Sequence, residues 1–307
     1  MNIRLLGLMG SFGTLIACGD GGGDNPTPPD APVIDHGFNK PTKSLKANME
    51  TAPKVWAEIG PADLTCLNTA TADVATTVEV TASTTVHDFQ TTSPVPGAMV
   101  VAFPGSMISA PFGAAVVADG TSKVSITIPV GTKRFGYKIT DPSSMDTLLL
   151  NQTVMPDVAL QDVDVLKPVS KTTAQTLPAL LGVSRTAGTG VLAGAMRDCQ
   201  NREISNAIAT VSSTSAAVTP LEGADSYYFA PAVGLPVRHT QKSASSEDGL
   251  FLVLELPATA SAFVQVWGYR DDAALAADNL ELIAELATPV IGDTVITGSY
   301  EPLRTGQ

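Results

Sequence analysis

Apolar and polar residues alternate along most of this chain, with a period of two. Val74, Val78 and Val80 stand among polar residues, and so do Val124, Ile126 and Ile128. Phe135, Tyr137 and Ile139 repeat the pattern, as do Leu250, Leu252, Leu254 and Leu256. A period of two puts every second side chain on one face, which is the signature of a half-buried β-strand. Val100, Ile126 and Ile128 are therefore expected to face one core and Leu252, Leu254 and Leu256 a second. Further strands are expected at 98–103, 148–150, 158–165, 190–198, 207–213, 262–268, 280–287 and 294–300. Asp119-Gly120 and Asp248-Gly249 read as hairpin turns. Gly105–Gly113, with Met107, Ile108 and Phe112, is apolar for a loop and is expected to fold over an open end of the first unit.

The period changes once. Ser170 is a good N-cap, Ala174, Leu177, Leu180 and Leu181 fall at helical spacing, and Gly182 is a stop. Pro178 restricts this to one short or broken helix. Upstream, Lys43–Met49 and Val55–Ile59 read as short helical turns. Trp56, Ile59 and Leu64 are expected to pack against the first β unit.

The pattern is also written twice. Asp88-x-Gln90 and Gly97-Ala98 in 84–103 return as Asp198-x-Gln200 and Asn206-Ala207 in 195–211. Asp119-Gly120 before Val124–Pro129 returns as Asp248-Gly249 before Leu250–Pro257. Leu148–Pro168 is echoed by Leu280–Pro302. Self-similarity over whole segments implies two β units in tandem. The expected division is 70–169 and 188–302, joined by 170–187, preceded by an arm at 33–69 and followed by a tail at 303–307. The second unit carries a longer insert, 215–246, with Tyr227, Tyr228 and Phe229.

The start of the chain has a different character. Arg4 precedes the apolar run 5–16 and the small Ala17, as in an export signal occupying 1–17. The run is shorter than the ~20 residues a spanning helix needs. Residues 19–32, rich in Gly and then Pro, form a flexible to extended linker. Leu15-Ile16-Ala17-Cys18 resembles the bacterial lipobox. That resemblance implies lipid on Cys18, attachment to a membrane, and, since Gly19 follows the cysteine, an outer-membrane location facing the periplasm or the surface. The two copies together resemble the carboxypeptidase regulatory-like domain of Gram-negative lipoproteins, a prealbumin-like or Ig-like β-sandwich. The resemblance implies an all-β fold of two tandem sandwiches and a binding, accessory or spacer role without catalytic residues.

Composition narrows the chemistry. The 307 residues carry a formal net charge of −12, which argues against nucleic acid as a partner. The three histidines, His36, His87 and His239, lie at no metal-ligand spacing, and no hydrolase elbow or phosphate loop is present. No cofactor or metal is expected, and the chain reads as a non-enzyme. Asp88 and Asp198 read as turn acids accepting backbone N–H bonds. Among aromatics, Tyr227, Tyr228, Trp267 and Tyr269 are the candidates for ligand contact, able to stack on a sugar or anchor a protein. Core packing is the competing explanation for them. The remaining reading of function is a structural subunit of an envelope assembly. Once Cys18 is lipidated, Cys66 and Cys199 are the remaining thiols. In an oxidising compartment they are expected to form a disulfide.

Overall fold

The structure is a computed structural model that describes residues 39–231 and 234–306. The expected export signal and linker, with Cys18 and His36, lie outside the described residues. The arm forms two strands, β1 (Lys46–Ala52) and β2 (Val55–Pro61). The first copy follows as β3 (Val80–Thr85), β4 (Met99–Pro104), β5 (Val116–Val117), β6 (Lys123–Ile128), β7 (Arg134–Thr140), β8 (Asp146–Thr153) and β9 (Leu160–Asp162), then helix α1 (Lys171–Leu180). The second copy runs through β10 (Thr189–Met196), β11 (Glu203–Ser205), β12 (Ile208–Ser212), β13 (Asp225–Ala230), β14 (Leu235–Arg238), β15 (Leu250–Pro257) and β16 (Thr259–Gly268). It closes with α2 (Asp272–Ala276), β17 (Glu281–Val290) and β18 (Thr294–Tyr300).

The internal repeat is a repeat of topology. In the first copy, β3 pairs antiparallel with β6 and parallel with β9. In the second, β10 pairs antiparallel with β15 and parallel with β18. Opposite them lie β4-β7-β8 and β12-β16-β17 in matching order. Alternation works as expected in β6, where Val124, Ile126 and Ile128 are buried and Lys123, Ser125 and Thr127 are exposed. Val100 joins them, with Phe135, Tyr137 and Ile139, in one apolar cluster.

The two copies are not separate sandwiches tethered by a helix. β18 pairs in parallel with β8, from Thr294 opposite Asp146 to Thr297 opposite Leu149, and Thr297 Oγ1 donates to Leu148 O at 2.9 Å. One sheet of nine strands therefore crosses the molecule in the order β14-β13-β15-β10-β18-β8-β7-β4-β5. The run Leu148-Leu149-Leu150 shows why. Leu148 and Leu150 belong to the cluster of the second copy, while Leu149 packs against that of the first. A strand buried on both faces needs apolar residues at consecutive positions. Helix α1 begins at the expected cap, Ser170, whose Oγ accepts from Thr173 N. Instead of tethering two bodies it covers the sheet's outer face. Ala174 is buried there with Met145, Val191, Tyr227, Leu252, Leu254 and Val295.

Other expectations are corrected. The two helical turns of the arm are the β1–β2 hairpin. Edge strand β11 supplies the partner, with Lys46, Ala47 and Asn48 opposite Ser205, Ile204 and Glu203. The arm packs on the second copy, not the first: Leu45, Leu64 and Leu67 lie in the second copy's cluster. Leu45 occupies the space a side chain at position 268 would need, since a Cβ on Gly268 would lie 2.5 Å from Leu45 Cδ2. Val74 and Val78 are exposed, and the strand begins only at Val80. Asp119-Gly120 makes a turn, with Asp119 N donating to Lys123 O at 2.9 Å, but its flanking strands enter different sheets. The strands flanking Asp248-Gly249 share a sheet without pairing, because β13 lies between them. The segment 105–113 reaches across to the second copy: Ile108 packs on its cluster and Ser106 Oγ donates to Ala287 O at 2.7 Å. Finally, Leu252, Leu254 and Leu256 do not share a face. Glu255 has φ 55 at a register shift between β10 and β15. The bulge moves Leu256 to the cluster of Phe251 and Val253, away from Leu252 and Leu254.

Candidate functional site

The repeated Asp-x-Gln turns each grip a passing piece of chain. Asp198 Oδ1 accepts from the N–H groups of Gln200 and Arg202, both at 2.9 Å. Its Oδ2 accepts from Asp63 N at 3.1 Å and from the Arg202 guanidinium at 2.8 and 2.6 Å. Cys199 N donates to Asp63 O at 2.9 Å, and Gln200 Nε2 to Asp63 Oδ2 at 2.9 Å. Hydrogen bonds from Thr65 and Gln200 hold the Asp63 carboxyl down to about 2. The expected disulfide sits at this spot, Cys66 to Cys199, with Cα atoms 5.7 Å apart.

In the first copy, Asp88 Oδ1 accepts from Gln90 N, Thr91 N and Thr91 Oγ1 at 3.0, 2.7 and 2.9 Å. Phe89 N donates to Pro168 O at 3.0 Å, and Thr173 Oγ1 to Gln90 Oε1 at 2.7 Å. The same turn thus clamps the arm in one copy and the start of α1 in the other. The recurring acids act as turn acceptors and fasten the fold.

The four candidate aromatics do not form a contact surface. Tyr227, Tyr228, Trp267 and Tyr269 are 1%, 0%, 9% and 2% exposed. Their polar atoms are also engaged. The Tyr227 hydroxyl donates to Asp225 Oδ2 at 2.7 Å and that of Tyr269 to Asp278 Oδ1 at 2.7 Å. Trp267 Nε1 donates to Gln265 Oε1 at 3.1 Å, and Tyr228 Oη accepts from Ala209 N at 3.0 Å. A ring must present a face to stack on a sugar. These rings spend theirs on the core, and the insert holding Tyr227 and Tyr228 adds β13 and β14 to the large sheet. Asp225 ties that edge together. Burial alone would raise its carboxyl, but hydrogen bonds from His239, Tyr227 and Arg238 outweigh burial and hold it below the usual range.

An open concavity lies elsewhere. A cleft of about 560 Å³ is lined by Asp88, Gln90, Asp141, Ser143, Ser170 and Thr172, together with the loop 93–96. Its walls are the first Asp-x-Gln turn, the Asp141–Ser144 turn and the start of α1. Hydroxyls and two carboxylates suit hydrogen bonding to a polar ligand. Its lining contains no His, Cys or Lys, and the Ser143 and Thr91 hydroxyls donate to the carboxylates of Asp141 and Asp88. In the sequence Asp88 reads as a turn acid and Ser170 as a helix cap, while Asp141, Ser143 and Thr172 stand out in no pattern, and only the folding of three distant loops onto one spot reveals them as a wall. Among the described residues, no group of three or more His, Cys, Asp or Glu could hold a metal ion.

Asp248 is a strongly perturbed carboxyl. It is buried, accepts from Leu250 N at 3.1 Å, and is pushed up to about 7, chiefly by burial. A carboxyl raised on folding stabilises the protonated fold. That stability is complete below the unfolded value near 3.9 and is lost as pH rises through about 7. Asp248→Asn keeps an acceptor for Leu250 N without the charge. It is expected to raise the melting temperature at pH 8 relative to the parent and to leave it unchanged near pH 4. Identical shifts at both pH values would refute this account.

No family model matches the sequence, and no curated protein matches it. Several solved structures do. A variant of the shaft pilin SpaA from Lactobacillus rhamnosus GG is 13% identical, covering 74% of this chain and 98% of its own, with a TM-score of 0.21. The Bacillus anthracis TIE protein is 12% identical, covering 73% of this chain and 34% of its own, with a TM-score of 0.23. BcpA, the major pilin subunit of Bacillus cereus, is 7% identical, covering 73% and 69%, with a TM-score of 0.22. Superposition at this level sets up no residue-by-residue correspondence.

Proposed function

We propose that this protein is a non-enzymatic, lipid-anchored component of the cell envelope that displays a stiff β module at an outer membrane, with the hydroxyl-lined cleft of its first copy as the contact surface. The observation that carries the reading is the absence of a free joint between the two copies. A shared sheet runs through both, and the first copy's Phe103, Leu148 and Leu150 pack in the second copy's cluster. A disulfide fastens the arm that leads back to the lipidated end. Two copies that share a sheet keep the far surface at a fixed distance from the arm, which suits display and spacing. The lipobox at Leu15–Cys18 supports attachment by lipid, and the acidic balance supports solubility of the displayed part.

Two preparations test both halves of the reading. Cys18→Ser is expected to lose palmitate labelling and membrane retention in cells, and unchanged labelling would refute the anchor. The same soluble full chain, applied to a glycan array, is expected to give hits that Thr172→Arg erases by filling the cleft. Hits that survive Thr172→Arg would move the contact surface elsewhere.

A further inference from the structure

The β1–β2 hairpin carries an apolar surface that the fold does not use. Ladder pairing with β11 ends at Asn48, and beyond it the hairpin continues without a neighbouring strand on either side. Met49 lies opposite Ala57, and Ala52 opposite Val55. Val55 and Ala57 are two apart, so with Met49 they share one face. Met49 and Val55 are 52% and 54% exposed, and Ile59, at the register shift that follows, is 43% exposed. The opposite face holds Trp56, Glu50 and Glu58, since Glu50 lies opposite Trp56 and Asn48 opposite Glu58. The ribbon thus presents one uncharged face, with its acids turned away from it. The core does not need these three side chains. Conservative packing would leave polar residues here, as in β6.

The position of the hairpin in the chain says what covers it. Twenty residues, 19–38, separate Cys18 from the first described residue, and even fully extended they span no more than ~70 Å. The chain enters the fold beside α2, where Lys40 Nζ pairs with Asp278 Oδ2 at 2.5 Å and Leu45 N donates to Tyr269 O at 2.9 Å. The hairpin starts at the next residue, Lys46. It is therefore the first described strand after Cys18. A tether of this length holds it at a high effective concentration near the bilayer, so that a few apolar side chains suffice for contact.

We propose that the uncharged face of the hairpin, Met49, Val55 and Ile59, rests in the interfacial layer of the phospholipid membrane that holds the lipid anchor. The contact rests on the anchor reading above. It adds a second attachment to the lipid anchor, setting the second copy next to the membrane and the first copy, with its cleft, away from it.

A tryptophan placed at position 55 in a Trp56→Phe chain reports on this directly, because Trp56 itself lies on the opposite face and the other tryptophan of the chain, Trp267, is buried. The full chain with Val55→Trp/Trp56→Phe, lipidated in cells and reconstituted into phosphatidylethanolamine–phosphatidylglycerol vesicles, is compared in ordinary and brominated phospholipid. The expected result is loss of the emission contributed by Val55→Trp in brominated lipid, absent in Trp56→Phe alone. Adding Met49→Ser/Ile59→Ser changes only exposed side chains. It is expected to recover the emission while the palmitate label stays unchanged. Palmitate present with the Val55→Trp emission unquenched overturns the hairpin contact and leaves the anchor standing. Palmitate absent overturns the anchor and the contact with it. A photo-reactive group at Val55 is expected to capture phospholipid, and capture of a second copy or another protein instead overturns the proposal.

Discussion

Leu254→Asp is expected to leave the protein unfolded. Leu254 is 1% exposed and packs with Tyr227, Leu252, Val191 and Val295 under α1. Losing a buried leucine costs about 2–5 kcal/mol. Burying an unpaired carboxylate adds a penalty of several kcal/mol more. Together these approach or exceed the ~5–15 kcal/mol that holds a typical domain folded. The effect should not stop at the second copy, because the sheet that Leu254 lies on continues through β18 into β8. Circular dichroism of the variant should therefore show no cooperative melt in either copy. Leu160→Asp serves as control. Leu160 is 64% exposed, and surface substitutions of this kind stay within about 0.5 kcal/mol. A normal melting curve for Leu254→Asp would refute its place in the core, and a surviving melt of the first copy alone would refute the shared sheet.

The second large effect belongs to the disulfide. Cys66 and Cys199 are separated by 133 residues. In the chain-entropy view, closing so long a loop contributes about 5 kcal/mol at most, and measured values are commonly 2–4 kcal/mol. Cys66→Ser/Cys199→Ser is expected to lose stability in that range in a denaturant titration. The loss should be local as well as global. The arm retains its three-residue ladder to β11, but nothing covalent then holds Asp63–Leu67 to the Asp198 turn. Hydrogen exchange should rise across 45–67 and stay low in β6 and β7, whose cluster draws nothing from the arm. Equal unfolding midpoints for the parent and the double variant would show that the clamp adds nothing.

Much of this fold could be read from particular residues. Val124, Ile126 and Ile128 alternate cleanly because one side of their strand meets core and the other water, and Phe135, Tyr137 and Ile139 keep the same period on a strand whose other face is half-buried. Ser170 announced its helix through a side chain that can satisfy an orphan N–H. The Asp-x-Gln repeats were legible as turns because their partners lie two to four residues away. The hairpin of the arm was not legible. KANMETA and VWAEIGP carry no clear period, and they are strands because β11 offers an open edge. The cleft was equally hidden, since Asp88, Asp141 and Ser170 come from three loops that only folding gathers.

What the sequence by itself determined, then, is everything that rests on neighbours along the chain: period-two strands, caps, turns, the doubled order of elements and the pairing of the two remaining cysteines by redox logic. Tertiary structure alone decided which surfaces those strands meet. It turned Leu148-Leu149-Leu150 into the seam between two copies, sent Leu256 across the sheet through the bulge at Glu255, and enclosed Tyr227, Tyr228, Trp267 and Tyr269. The physical reason is that alternation records burial on one face, while burial on both faces, or the closing of an edge by a distant segment, depends on contacts between residues far apart in the chain.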